Sequence, residues 1–311
     1  MKCALCGKTS FTSISNVDAK SSERLQVSLC DHCGLIQQNP IPTHDELKIY
    51  YSHNYRKDYK KTYTPKSKHV YRAGKTALRR INFLKNAGIS GGKLLDVGAG
   101  GGEFVYLAAK AGFYSHGIEP SIGYSEYAGR EYGCHVITGE LEDIDDTYDV
   151  ITMFHVLEHL PSPVHAFEKL YGLLDKQGKL LIEVPWIETN DASPHNIYFK
   201  AHIIYFGVDT LIACASKFFK AVRVDTSSNL NILFEAREKP AAVALPAKAS
   251  VRRLKKRLHD KGWAEYLLQG KGLMKPIDKI ARAFEESRVK SMPPKSILDG
   301  LVKKYDVSEP P

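Results

Sequence analysis

The stretch Leu94-Leu95-Asp96-Val97-Gly98-Ala99-Gly100-Gly101-Gly102-Glu103 constrains this chain more than any other. An apolar run that closes on an acid, breaks into glycines and reopens as a helix brings backbone close to a ligand. Residues without Cβ permit the tight turn and the close approach that this needs. Such a turn suits a nucleoside-containing cofactor. Around it the pattern alternates, with strands at 93–97, 115–119, 135–138, 148–154 and 178–184 and helices at 103–111, 124–132 and 163–174. That alternation predicts an α/β fold, a parallel sheet with helices on both faces and ligands at the carboxyl ends of the strands. Segments 218–225 and 230–237 read as a closing antiparallel pair, and a helical pattern at 67–87 precedes the turn.

The 311 residues suffice for one sizeable α/β domain with smaller additions. No apolar run approaches the ~20 residues that span a bilayer, and the start shows no signal-peptide pattern, so a cytoplasmic location is expected. Of the net charge of +9, residues 241–311 supply +8, from 16 Lys and Arg against 8 Asp and Glu. The chain begins with two Cys-x2-Cys knuckles, Cys3 with Cys6 and Cys30 with Cys33. Four thiolates at that separation can close tetrahedrally on a structural zinc and leave no open position for catalysis. A pair of disulfides is the competing reading, and a reducing compartment disfavours it.

The glycine spacing discriminates between cofactors. A dinucleotide fold wants G-x-G-x-x-G, and counting from Gly98 the third position is Glu103. What stands is Asp96-x-Gly98-x-Gly100-x-Gly102, which resembles the acid-led motif of class I S-adenosylmethionine-dependent methyltransferases. The resemblance implies a Rossmann-like seven-stranded methyltransferase sheet. It also implies that Asp96 engages the methionine ammonium, that Glu119 accepts both ribose hydroxyls, and that Glu140 and Leu141 meet the adenine. Phe154 and His155 would adjoin the cofactor at the end of the fourth strand.

The methyl acceptor belongs beyond that strand. The Asn/Asp-Pro-Pro-aromatic motif of aminopurine and glutamine N-methyltransferases is missing there, which disfavours N-methylation. His155, Glu158 and His159 have the i, i+3, i+4 spacing that a helix would gather on one face. They read as a general base near the acceptor, as a divalent-metal site resembling that of some small-RNA 2′-O-methyltransferases, or as purely structural groups. A narrower resemblance, to sugar C-methyltransferases with a four-cysteine zinc domain, rests on Tyr198 and His202, with His159 matching their acceptor-side histidine. Those enzymes carry glutamate where this chain has Ala201. The absent carboxylate favours transfer to a hydroxyl, for which one histidine base, His159 or His202, suffices.

The expected organisation is a zinc-ribbon-like domain at 1–42, a helical connector at 43–90, a methyltransferase core at 91–239, and a linker with a basic helical extension at 240–311. In the connector, Thr43 caps a short helix at 45–51, and Tyr50, Tyr51, Tyr55, Tyr59 and Tyr63 could line an acceptor pocket. In the extension, helices are expected at 251–268, 276–289 and 296–305. The expected function is S-adenosylmethionine-dependent O-methylation of a small-molecule, sugar or glycan hydroxyl. Sugar C-methylation and RNA methylation or binding, the latter from the zinc head and basic tail, are the alternatives. A nucleic-acid partner is the weaker reading, peripheral membrane contact through the basic helix remains open, and oligomeric state is not legible.

Overall fold

The computed structural model describes residues 2–43, 46 and 65–305. The tyrosine cluster and the helix expected at 45–51 lie outside the described residues. The cap does form: Glu46 accepts from the Thr43 N–H at 2.7 Å and returns its own N–H to Thr43 Oγ1 at 3.3 Å.

Strands β1 (Phe11–Val17), β2 (Arg24–Cys30) and β3 (Ile36–Gln38) are followed by α1 (Ser67–Lys85), β4 (Gly92–Val97) and α2 (Glu103–Lys110). Next come β5 (Phe113–Glu119), α3 (Ile122–Tyr132), β6 (Val136–Thr138), β7 (Tyr148–Phe154), α4 (Pro163–Gly172) and β8 (Leu174–Val184). The chain continues with β9 (Ile204–Tyr205), α5 (Val208–Ala215), β10 (Phe219–Asp225) and β11 (Leu230–Ala236). It ends in α6 (Lys248–Asp260), α7 (Trp263–Leu268), α8 (Lys275–Ser287) and α9 (Pro294–Tyr305). Seven strands hydrogen-bond in the order β10-β11-β8-β7-β4-β5-β6, and four more in the order β1-β2-β3-β9. Pairs β4–β5, β4–β7 and β5–β6 are parallel, whereas β11 runs antiparallel to both β8 and β10. This is the seven-stranded, Rossmann-like arrangement that the resemblance implies, around the parallel strands that the alternating pattern predicts.

Contacts divide the chain into two compact units. One comprises residues 1–55, 154–172 and 179–275, the other 56–153, 173–178 and 276–311. The extension expected at 240–311 is thus shared between them.

In the second unit, α1 buries Val70, Ala77, Leu78, Ile81 and Leu84 along one stripe, and the four larger side chains are each worth roughly 1.5–3 kcal/mol when fully buried. Gly74 on the same face lets α9 approach, since a Cβ there would stand 2.6 Å from Leu301 and 2.8 Å from Leu298. Tyr106 on α2 hydrogen-bonds Asp299 of α9.

In the first unit, Leu25, Val27, Leu29, Ile36, Ile187, Tyr205, Val251 and Leu254 form one apolar cluster. The basic run of α6 is tied down around it. Lys255 Nζ lies 2.6 Å from Asp31, Arg253 Nη2 lies 2.9 Å from Asp209, and Arg257 bonds Glu265 at 2.7 Å and Asn190 at 2.6 Å.

Two local expectations fail for identifiable reasons. The helix expected at 251–268 breaks at extended Gly262, giving α6 and α7, because glycine has little to gain from helical backbone. Helix α5 falls where the sequence reading has only a loop and closing strands; Thr210 Oγ1 accepts from the Gly207 N–H at 3.0 Å to start it.

Gly100 and Gly102 differ in what they serve. Both have positive φ, 53° and 82°. A Cβ on Gly102 would lie 2.6 Å from the Ala128 Cβ of α3, whereas one on Gly100 would meet nothing within 4 Å. Gly102 therefore serves helix packing and Gly100 leaves room for a ligand. Gly102→Ala should cost about 1–3 kcal/mol in urea unfolding, through strain and crowding together. A change inside about 0.5 kcal/mol would show that the α2–α3 contact relaxes freely.

Candidate active site

The glycine turn folds over the end of β5. The N–H groups of Gly98 and Ala99 both donate to the Ile118 carbonyl, at 2.8 and 3.0 Å. Glu119 ends that strand and accepts the Gly100 N–H on Oε2 at 2.9 Å and the Ser121 N–H on Oε1 at 3.0 Å. A carboxylate has about four lone-pair sites, so two remain for outside donors. Burial raises the Glu119 carboxyl above its ordinary value, against the pull of these two bonds. Asp96, at the end of β4, is 3% exposed, and Thr152 Oγ1 donates to its Oδ1 at 2.7 Å. Thr152 is a site residue that the sequence reading missed; a hydroxyl in the apolar run of β7 was its signal.

Leu141 is buried and opens a 3-10 turn, Leu141–Asp143, after β6. Glu140 is exposed, and its N–H donates to Asp143 at 2.8 Å. Asp96, Gly98, Gly100, Gly102, Glu119, Glu140 and Leu141 all belong to the second unit.

The histidines belong to the first unit. The common helical face expected for His155, Glu158 and His159 does not form. His155 has φ +57°, and only Leu157–His159 takes a 3-10 turn. The left-handed conformation costs of order 1 kcal/mol or more, and several contacts hold it. Its N–H donates to the Glu183 carbonyl at 2.8 Å, Nε2 lies 3.0 Å from Glu183 Oε1, and Nδ1 lies 3.3 Å from Glu158 Oε1. Asn229 donates to the same Glu183 oxygen at 2.8 Å. Burial pulls the His155 imidazole down, but Glu158 and Glu183 outweigh it and hold it at about 9, so it is a cation at neutral pH. Glu183 and Asn229 escaped the sequence reading, although a glutamate inside the apolar run of β8 is a signal in itself. Phe154, just before His155, is buried.

Glu158 is 1% exposed, and neither of its oxygens has a hydrogen bond of good geometry. Its ligand atoms and those of His159 and His202 lie within 4.8 Å of one another. His159 Nδ1 stands 2.6 Å from the Ala201 carbonyl, so Nδ1 carries the proton and, in the neutral ring, Nε2 keeps the lone pair. That Nε2 is 3.9 Å from Glu158 Oε1. Glu158 thus places a buried carboxylate beside the two imidazoles. Burial, helped by the neighbouring His159, lowers His202 to about 3 and keeps it neutral. Tyr198 packs against Tyr205 at 5.1 Å between ring centroids, and Tyr205 faces His202 at 6.0 Å.

In the head, the Cys3 and Cys33 sulfurs are 3.5 Å apart, as are those of Cys6 and Cys30, and all four lie within 4.8 Å of one another with no disulfide. A tetrahedron with metal–sulfur bonds of about 2.3 Å has edges near 3.8 Å, so the four thiols fit zinc. The N–H groups of Gly7 and Gly34 return to the carbonyls of Cys3 and Cys30, both at 2.9 Å, closing the two knuckles.

An acid-ended strand, a glycine turn at its tip and a second acid one strand over leave a ligand cradle at the carboxyl ends of the strands. Residues 69–218 match the family described as a methyltransferase domain, just under half of the chain. The ubiquinone biosynthesis O-methyltransferase of Pseudomonas savastanoi pv. phaseolicola is 32% identical over 111 residues, covering 32% of this chain and 48% of that protein. Its counterpart in Aeromonas salmonicida is 29% identical over 114 residues, covering 33% and 48%. The chain therefore spans about half the length of the curated relatives it matches. Magnesium protoporphyrin IX methyltransferase from Synechocystis PCC 6803, solved with bound SAH, is 15% identical with a TM-score of 0.46, covering 63% of this chain and all of that one.

Burial raises Asp96 from its ordinary 3.8 to about 7, with the Thr152 bond opposing. The folded form then holds its proton more tightly than the unfolded form, so stability falls as pH rises from 3.8 through about 7. In urea unfolding, Asp96→Asn should gain on the wild type between about pH 4 and about pH 8. A difference independent of pH would place the carboxyl in a more polar setting.

Proposed function

We propose that the chain transfers a methyl group from S-adenosylmethionine to a hydroxyl of a small-molecule, sugar or glycan acceptor, with His159 as general base. The observation that carries the base assignment is the fixed tautomer of His159, whose Nδ1 is held by Ala201. The bound donor supplies a methyl made electrophilic by its sulfonium. Asp96 would take the methionine ammonium, Glu119 the ribose hydroxyls and Glu140 the adenine amino group. Leu141 would give the ring an apolar face, and Gly98, Gly100 and Gly102 would form the cradle. The open space at Gly100 and the spare lone pairs of Glu119 fit that donor.

His159 Nε2 would take the proton of the acceptor hydroxyl as its oxygen receives the methyl. Glu158 then stabilises the imidazolium. His202, held near 3, is a poor base and serves as a neutral partner. The ubiquinone O-methyltransferases among the relatives support oxygen as the acceptor atom. His159→Ala and Glu158→Gln should lower turnover, the first by roughly 10²- to 10⁴-fold, with donor affinity in calorimetry unchanged. Glu119→Ala should weaken donor binding by roughly 10- to 100-fold. Full turnover in His159→Ala would remove the base, and undiminished affinity in Glu119→Ala would remove the ribose assignment.

A second reading rests on the Glu158 carboxylate, which lacks a well-formed hydrogen bond and with His159 and His202 could hold a divalent cation. Turnover that survives exhaustive chelation keeps the base, and loss restored by Mg2+ favours the cation.

We further propose a structural zinc on Cys3, Cys6, Cys30 and Cys33, on the strength of their sulfur spacing. A strong chelator should lower the melting temperature and free four thiols to a thiol reagent. An unchanged melt with the thiols already reactive would exclude it.

A further inference from the structure

Helix α8 wears its apolar side outward. Ile277, Ile280 and Phe284 fall on one stripe at i, i+3 and i+7, and they are 58%, 72% and 64% exposed. Its polar side is the one bound to the rest of the second unit. Glu286, 8% exposed, takes Arg72 Nη2 of α1 at 2.8 Å, and Glu285 takes Lys75 Nζ at 2.9 Å and the Tyr71 hydroxyl at 3.4 Å. An amphipathic helix packed for stability alone would turn the other way, since burying such a stripe is the main gain from docking it.

The charges say what the stripe faces. Arg72 and Lys75 neutralise Glu286 and Glu285, which leaves Lys279, Arg282, Arg288 and Lys290 against Asp278 between positions 276 and 290. Arg288 lies over the Phe284 ring at 4.8 Å, a cation at the border of the apolar stripe. A stripe of large apolar side chains edged by Arg288, on a helix whose unpaired charge is positive, suits the headgroup boundary of an anionic bilayer. A second copy of the same helix would instead set cations against cations. With 13 residues the helix is too short to cross a bilayer, and no described helix is long and apolar enough to do so. We propose that α8 is a membrane-surface helix, which lies in the plane of an anionic lipid surface with Ile277, Ile280 and Phe284 inserted, Arg288 at the phosphates, and the remaining positive charge of the helix adding long-range attraction.

The proposal is independent of methyl transfer and is tested on the full chain by sedimentation with vesicles. The probes are phosphatidylcholine vesicles with and without phosphatidylglycerol. The wild type should sediment with the anionic vesicles, release with added salt, and ignore the neutral ones. Ile277→Asn, Ile280→Asn and Phe284→Asn together should weaken that binding at least about tenfold. The melting temperature should stay within about 2 °C, because the three side chains touch water in the fold. Lys279→Gln with Arg282→Gln should flatten the salt dependence with the stripe intact. No binding to anionic vesicles, or equal binding by wild type and triple variant, overturns the proposal. So does a dimer in light scattering that the triple variant abolishes, since that assigns the stripe to a second copy.

Discussion

Carboxylates taken out of water set the terms for both units. An ionised carboxylate in an apolar interior is costly unless hydrogen bonds or an opposite charge compensate it. The chain answers that cost differently each time. Asp96 keeps one hydroxyl partner and shifts toward its protonated form, which leaves it ready to gain from a cation. Glu119 takes two backbone N–H groups and thereby fixes the glycine turn, so an acid placed to meet a ligand also shapes the loop around that ligand. Glu183 is met by His155 and Asn229. Glu158 has the least complete set, and it lies beside the imidazoles where a proton or a cation would be welcome.

What the sequence makes legible follows from the range of the interactions. The strands and helices from 67 to 237 are carried by local periodicity, and the acid-led glycine motif is a contiguous turn. The four cysteines are legible because their spacing is itself the geometry of the site. By contrast, the partners of His155 are 28 and 74 residues downstream, and the bond from His159 to Ala201 spans 42. Spacing suggested that His155 and His159 share a helical face, and long-range contacts to Glu183 instead hold His155 in a left-handed conformation that no local rule selects. The break at Gly262 was visible in principle, but the apolar pattern runs through it and hides it.

Basic residues near the end of the chain show how composition misleads when partners are distant. The run from Arg252 to Arg257 reads from sequence as a solvated helix face, yet Arg253, Lys255 and Arg257 reach acids or polar groups at Asp209, Asp31, Asn190 and Glu265. Much of that charge holds α6 in place beside the cysteine head. A charge count cannot tell a solvated patch from a clasp.

Gly74 has a consequence for how the protein comes to be made. The face of α1 that it opens is filled by Leu298 and Leu301, more than 200 residues later in the chain. Until α9 has left the ribosome, that apolar face of α1 stays uncovered, and closing so long a loop comes late on entropic grounds. Helix α9 therefore seals that flank late. A chain cut short before α9 would carry an unsealed apolar flank, the kind of species that aggregates or is degraded.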